Sequence, residues 1–485
     1  MRFSRVLFLP ILLVSALVSG VVADAPLLEP DRSPIRIGAV FPLTSNAEPL
    51  ARAELTGVQI AADLVNARGG VNGRRIELDV RDLSSRADAM PVIRALKASG
   101  ITTVIGAYSS DLSIAASSAA ADEGLLYWEA GAVADRLTGR GLPLIFRVGA
   151  SGSNLGTQSS TFAAQALAPR LGKAPGQLSV AIVNAEDDYA SSVAAAADRT
   201  AVALGMPVVA RLTYRPSLPI WEPIMASLAQ SHPDVIILAS HIPDGISFRR
   251  AMLAAGVTTD ALIGSTMAQC VPDFAGPLGK DAIGIFGSDR PAGGFDPAPL
   301  NAEARALYEQ FAPAWKVATA AWPTPTEDPS EYGGGAEPSA EAAASGATAR
   351  GGASSWSSEP APTGNSSWSS TSVGGWGGNG GDAATEEGLA GFSAGWALFS
   401  DVLPAASLQG RLDAEGIAAA ARSVDLPDGS LPNGAGLHFS ADTATLGQNE
   451  RAIGMVWQWQ DVNRDVVVWP QSFATGSIGF LPLPR

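Results

Sequence analysis

Ser179-Val-Ala-Ile-Val-Asn184, Pro207-Val-Val-Ala-Arg-Leu-Thr-Tyr214, Asp234-Val-Ile-Ile-Leu-Ala239 and Ala261-Leu-Ile-Gly264 are short apolar runs along one stretch of the chain. Segments of helical length lie between them, at 191–204, 221–230 and 245–255, and a further apolar run at 282–287 closes the series. Val- and Ile-rich runs of strand length separated by helices read as βαβ units, which build a mostly parallel sheet. The same rhythm stands upstream: strands at 35–41, 76–80 and 103–106, helices at 55–66, 90–99 and 113–121. A break at 146–153 separates the two series. The expected fold is α/β, with two doubly wound parallel-sheet lobes joined by a hinge.

At 485 residues the chain is too long for a single core. Its 32 basic and 47 acidic residues give a net charge of −15, which argues against nucleic acid or an anionic membrane as a partner. Hydrophobic residues at 46% and charged residues at 16% suit large buried sheets. Cys270 is the only cysteine, so no intrachain disulfide and no zinc site of several thiolates can form. With only His232, His241 and His438, a His-rich metal centre is also disfavoured. No metal or cofactor is expected.

At the N-terminus, Arg2 and Arg5 precede an apolar run at 6–22 that Pro10 interrupts, and Val21 and Ala23 satisfy a small-residue cleavage rule. Residues 1–23 therefore read as a signal peptide, with an uncleaved anchor as the alternative. No cysteine stands near that point, which excludes the usual lipoprotein route. A soluble protein exported to the periplasm is expected.

From 323 to 387 the composition turns to Gly, Ser, Ala, Pro and Thr, with a near-repeat around Trp356 and Trp368 and a further Trp376. Such a stretch cannot bury enough apolar surface to offset its ordering entropy. It reads as a disordered low-complexity insertion, either a surface excursion or a recognition segment. Beyond it a helix at 388–403 ends at Pro404, a second spans 413–423, and strands at 451–460 and 466–469 form a hairpin.

No catalytic set emerges. Gly149-Ala-Ser-Gly-Ser153 lacks the final glycine of a nucleophile elbow, and Gly69-Gly-Val-Asn-Gly73 follows a helix rather than opening one. Cys270 reads as a buried inert thiol. What remains is a set of loops at the carboxyl ends of strands, where open α/β sheets bind ligands. Ser109 and Ser110 open a helix and can hold a carboxylate or simply cap that helix. Glu129, with Gly131 and Ala132 behind it, can meet a ligand ammonium or pair internally with Arg136 or Arg147. Asp187 or Asp188 caps the next helix, and Tyr189 beside them offers a ring and a hydroxyl. His241 is either a ligand partner or a solvated loop residue. If the lobes face each other through these ends, a bound solute favours closure.

The stretch 57–82 holds a glycine, an apolar helix ending Ala-Asp-Leu-Val-Asn-Ala-Arg-Gly-Gly-Val, then Asn-Gly-Arg-Arg and a strand ending in Asp. It resembles the leucine/isoleucine/valine-binding proteins, the type I periplasmic solute-binding proteins of ABC transporters. Val104-Ile-Gly-Ala-Tyr-Ser-Ser110, Ile145-Phe-Arg147, Asp188-Tyr189, Val456-Trp-Gln-Trp459 and Val467-Val-Trp-Pro470 continue the resemblance. It implies lobe 1 over 35–149 and 290–438, and lobe 2 over 150–289 and 439–485. It also implies a monomer that hands a small-molecule ligand to an ABC transporter permease and performs no catalysis; a sensor of the same fold, or a cleft hydrolase, is the alternative. Ser110 and its helix start would bind a ligand carboxylate, residues 131–134 would add contacts, and Tyr189 and His241 would line the far lobe. One departure stands out. Where the amino-acid binders offer a glutamate for the ligand ammonium, this chain has Ser265-Thr266-Met267. A ligand that has drifted from leucine-like amino acids follows, with amides, urea-like compounds and small organic acids in view.

Overall fold

The first sheet takes all its strands from the first third of the chain: β1 (Ile35–Phe41), β2 (Ile76–Asp82), β3 (Thr103–Gly106), β4 (Leu126–Glu129) and β5 (Ile145–Arg147). They run parallel in the order β2-β1-β3-β4-β5. A computed structural model describes residues 31–320, 322, 385–462 and 464–484. The leader at 1–23 and nearly all of the insertion, Trp356, Trp368 and Trp376 included, lie outside them. β3 and β4 are wholly buried, as sheets covered by helices on both faces require.

The second sheet repeats that order with β6 (Val180–Ala185), β7 (Val208–Tyr214), β8 (Val235–Ser240), β9 (Ala261–Met267) and β10 (Phe286–Asp289), arranged β7-β6-β8-β9-β10. β10 starts later than expected, because Gly279–Ala282 forms a 3-10 turn instead of strand. A short antiparallel pair, β11 (Asp425–Leu426) and β12 (Leu437–His438), stands apart. The hairpin β13 (Met455–Asp461) and β14 (Arg464–Trp469) adds antiparallel to β10. Each sheet reverses its strand order beside its first strand, a switch point where loops splay apart and leave a crevice.

The helices in chain order are α1 (Glu48–Ala67), α2 (Ala89–Ala98), α3 (Ser110–Glu123), α4 (Gly152–Phe162), its continuation α5 (Ala168–Arg170), α6 (Asp188–Ala203), α7 (Trp221–Ser231), α8 (Ile242–Ala255), α9 (Pro272–Leu278), α10 (Ala302–Thr319), α11 (Glu386–Trp396), α12 (Leu403–Leu408) and α13 (Ala414–Ser423). α1 begins a full two turns before the expected start, with Pro49 in its first turn, where a missing N–H costs nothing. Pro404 does not end its helix as expected. A π-helical stretch, Ala397–Val402, precedes it and leaves Pro404 in the first turn of α12. The continuous run 386–408 is long and apolar enough to cross a membrane, but 78% of its apolar 18-residue window is buried inside the fold. It is a core helix, crossing α1 so closely that a Cβ on Gly57 would lie 2.0 Å from the Gly388 carbonyl oxygen.

The chain passes between the sheets near 148–151, again after Asp289, and a third time before Met455. Residues 439–449, grouped above with the second lobe, line the edge of the first sheet instead. The Asn449 amide donates to the Arg147 carbonyl at 2.9 Å, and Asn449 Nδ2 donates to the Val148 carbonyl at 2.9 Å.

Candidate functional site

Ser109 caps α3, its hydroxyl accepting from the Leu112 amide. Ser110 Oγ accepts from the Ala134 amide at 3.1 Å, so the loop after β3 is pinned to the loop after β4. The neighbouring Asp135 amide donates to Ser192 Oγ at 3.0 Å, and Arg136 Nη1 meets Asp188 Oδ2 at 3.0 Å. Both partners stand on α6, in the second lobe. The loops that carry Ser110 and Asp135 and the start of α6 beside Tyr189 are therefore joined across the cleft between the lobes.

Glu129 departs from its expected roles. It is fully buried, and its Oε1 accepts from the Gly131 and Ala132 amides at 2.9 and 2.8 Å while Oε2 accepts from Tyr127 at 3.3 Å. Its carboxyl is committed to holding its own loop, and the Gly131 and Ala132 amides are occupied by it rather than open to a ligand. Neither arginine bonds it: Arg136 goes to Asp188, and Arg147 to Gln448 and the carbonyls of Ala132 and Ala134. Burial, opposed by hydrogen bonds from Ser113 and from the Ala132 and Gly131 amides and by the nearby Arg147 charge, raises Glu129 to about 7.

In the second lobe Asp187, not Asp188, caps α6, accepting from the Ala190 amide at 2.8 Å. Its other oxygen lies 2.8 Å from His241 Nε2. His241 is thus a packed group rather than a solvated one, its side chain 12% exposed and its ring 5.1 Å from that of Tyr189. Burial opposes its charge, but the hydrogen bond to Asp187 and the charges of Asp244 and Asp187 prevail and raise its pKa. Tyr189 donates to the Ser240 carbonyl at 3.2 Å and accepts from Thr266 Oγ1 in turn. Thr266 adopts φ 78°, a left-handed conformation that few non-glycine residues take.

At the base of the cleft stands a cluster that composition and spacing did not reveal. Arg290, just past β10, donates through Nε to Glu386 Oε1 at 2.6 Å and through Nη1 to the Gly131 carbonyl. Glu54 of α1 presses its carboxylate against Gly131, where any Cβ would collide with Oε2. Glu387 follows Glu386 in the first turn of α11, which Thr385 caps. Burial pushes the Tyr189 phenol upward, and Asp289 and Cys270, approaching from the second lobe, add to that shift. Tyr108, also buried, is pushed up by burial and by the charge of Glu387. Cys270 Sγ and carboxylate oxygens of Asp289 and Glu386 lie within 4.8 Å of one another, a donor set into which Arg290 already brings a positive charge. The Cys270 thiol is buried and pushed upward by desolvation, as an inert thiol is.

Thr385, Glu386 and Glu387 belong to the insertion by composition, yet they are ordered and at least nine-tenths buried. A Thr followed by two acids just before an apolar run is a helix start, the one local signal that separated them from the insertion. Glu54 gave no such sign, sitting mid-helix in an otherwise regular pattern.

These carboxyls make stability depend on pH. Burial raises Glu54 and Glu386 well above the usual carboxylate range and brings Glu129 and Glu387 to about 7. The folded state then holds more protons than the unfolded chain, so stability falls as pH rises from the ordinary carboxylate range through about 7. The raised His241 acts in the same direction, its contribution present below its ordinary pKa and lost above the raised one. Asp82, Asp187 and Asp234 are depressed, and theirs is lost only on stronger acidification. Calorimetric Tm should peak near about pH 5 and decline toward about pH 8; a Tm rising steadily over that interval would contradict the assignment.

Comparison with known proteins matches this architecture. The family described as periplasmic binding protein matches residues 34–327, more than half of the chain, and the chain belongs to that family. Among curated relatives it is 27% identical to Leu/Ile/Val-binding protein homolog 8 of Brucella abortus (strain 2308), over 99% of this chain and 100% of the relative. Among solved structures, the leucine-binding protein LivK of Thermotoga maritima is 16% identical with a TM-score of 0.62, covering 90% of this chain and 100% of that one. An ABC transporter substrate-binding protein of Desulfitobacterium hafniense, in complex with Leu, is 19% identical with a TM-score of 0.59, covering 90% and 99%. At these identities the likeness of the two structures is one of fold.

Proposed function

We propose that this chain is an exported solute receptor that captures a small amino-acid-like metabolite between its lobes and presents the closed form to an ABC transporter permease, without altering the solute. The observation that carries this reading is the joining of both lobes over buried polar groups. Asp135 and Arg136 hold Ser192 and Asp188 across the rim, and beneath them Arg290, where the chain crosses back from the second lobe, links Gly131 to Glu386 within the first. A solute enclosed there touches both lobes and so stabilises closure, the state a permease can distinguish from the empty one. The relatives named for leucine, isoleucine and valine support an amino-acid-like cargo. Thr266, engaged with Tyr189, stands where those binders offer a glutamate, which supports a cargo other than leucine itself.

Thermal-shift screening of the purified protein against amino acids, amides, ureas and small organic acids tests the reading, because a ligand of the folded state raises Tm with the logarithm of its concentration. Ser110→Ala and Tyr189→Phe should each weaken the best hit by roughly three- to tenfold, the worth of one hydrogen bond. Unchanged affinity in both variants, or turnover of the hit, would overturn the assignment.

A further inference from the structure

The floor of this cleft is unbalanced in charge. Glu54, Glu129, Asp289, Glu386 and Glu387 are all at least nine-tenths buried, and the cations buried among them are Arg290 and Arg147. Fully ionised, the group carries three more negative charges than positive ones. Hydrogen bonding is unbalanced too. Among the described residues, Glu54 Oε1, Glu54 Oε2, Glu386 Oε2 and Glu387 Oε2 are buried oxygens without a hydrogen-bond partner. Buried carboxylate oxygens are normally satisfied, and an uncompensated buried charge costs several kcal/mol. The nearby groups do not supply the missing donors. Arg290 is already engaged with Glu386 and Gly131, Arg147 with Gln448 and its own loop, and the Gly131 and Ala132 amides with Glu129.

We infer that the solute carries a net positive charge, as a small diamine or an amine joined to a guanidine, whose N–H groups complete the unpartnered oxygens of Glu54, Glu386 and Glu387. The inference rests on the receptor reading above and narrows its cargo. A zwitterionic amino acid brings no net charge and leaves the imbalance in place, whereas a dication removes most of it. In the empty protein the burden is lifted by protons, consistent with the raised carboxyls around Arg290. Binding a cation must then expel protons, and affinity must rise with pH. The groups facing this floor are Glu54 from α1, Tyr108 after β3, Glu129 after β4, Cys270 before α9, Asp289 and Arg290 after β10, and Glu386 and Glu387 from α11. Of these, Glu129 and Glu387 are raised to about 7, and burial holds Glu54 and Glu386 well above the usual carboxylate range.

Titration calorimetry on the full chain decides the matter, with 1,4-diaminobutane and L-argininamide as dications and L-leucine as the zwitterion. Runs in two buffers of different ionisation enthalpy count the protons released. A dication should bind at least about tenfold more tightly than leucine, with proton release, and its affinity should rise several-fold from about pH 6 to about pH 8. Glu54→Gln and Glu387→Gln should each weaken the dication by about tenfold, while the empty variants keep or exceed the parent's Tm because a buried charge has gone. Leucine binding as tightly as either dication would overturn the cationic cargo and leave the receptor reading standing. Binding by neither class would overturn the cationic cargo, and the receptor reading falls with it only if the thermal-shift screen also finds no ligand. Full dication affinity in both Gln variants would remove the site from this floor.

Discussion

Gly57→Ala is expected to lower the unfolding free energy by about 3 kcal/mol, since overpacking a close-packed interior costs about 1–3 kcal/mol and more where backbone is struck. The added Cβ would meet the Gly388 carbonyl oxygen at 2.0 Å and the Phe392 nitrogen at 2.6 Å. Both are main-chain atoms of α11, so no side chain can swing away and the two helices must separate. Gly391→Ala meets the same obstacle from the other side, its Cβ falling 2.0 Å from the Glu54 carbonyl oxygen. Because each change opens the same crossing, the double variant should cost less than the sum of the two. Gly276→Ala in α9 is the control: nothing lies within 4 Å, and relief of glycine's unfolded-state entropy should leave it neutral or up to about 0.5 kcal/mol more stable. Urea unfolding resolves these differences as midpoint shifts at constant slope. An unshifted midpoint for Gly57→Ala would show that the helices cross less closely than described.

Arg290→Met should be as damaging by a different route. Methionine fills similar space but removes the donors to Glu386 and Gly131 and the positive charge among four neighbouring carboxyls. Breaking a buried ion pair by deleting one partner costs about 3–5 kcal/mol. The loss should shrink on acidification, because Glu386 and Glu387 already bind protons more readily than free carboxyls and do so further without the arginine. An acid whose folded pKa is raised destabilises at high pH and not at low. Urea titrations at about pH 5 and about pH 8 should therefore show a gap between variant and parent that widens with pH. A gap independent of pH would mean that Arg290 matters for packing alone.

The fold was legible because its strands are short Val/Ile runs buried on both faces, and that signal survives without an alignment. β1, β3, β6 and β8 lie within a residue of their expected positions, and the resemblance carried by 57–82 pointed to the family. The elements misplaced were those governed by tertiary contacts. Pro404 normally stops a helix, and only the π turn before it explains why the chain runs on. The site was legible in its loops but not in its floor. Ser110, Tyr189 and His241 follow strand ends, where position alone nominates them, while Thr266, inside β9, was marked only by the departure from the family resemblance. Glu54 and Arg290 come from a helix interior and a crossing segment, and no spacing rule ties residues 236 positions apart. Glu129 was singled out for its place after an apolar strand, yet burial turned it toward its own backbone.

The seam between α10 and α11 carries one more implication. Trp315, near the end of α10, packs its ring onto Gly388 at the start of α11, and Trp322 meets that ring edge-on at 5.7 Å. The segments that flank residues 323–384 are therefore neighbours in the first lobe. Closing a loop grows costlier only as the logarithm of its length, about 0.6 kcal/mol for each doubling. An optical reporter spliced between those two points would therefore be anchored to the first lobe at both of its ends.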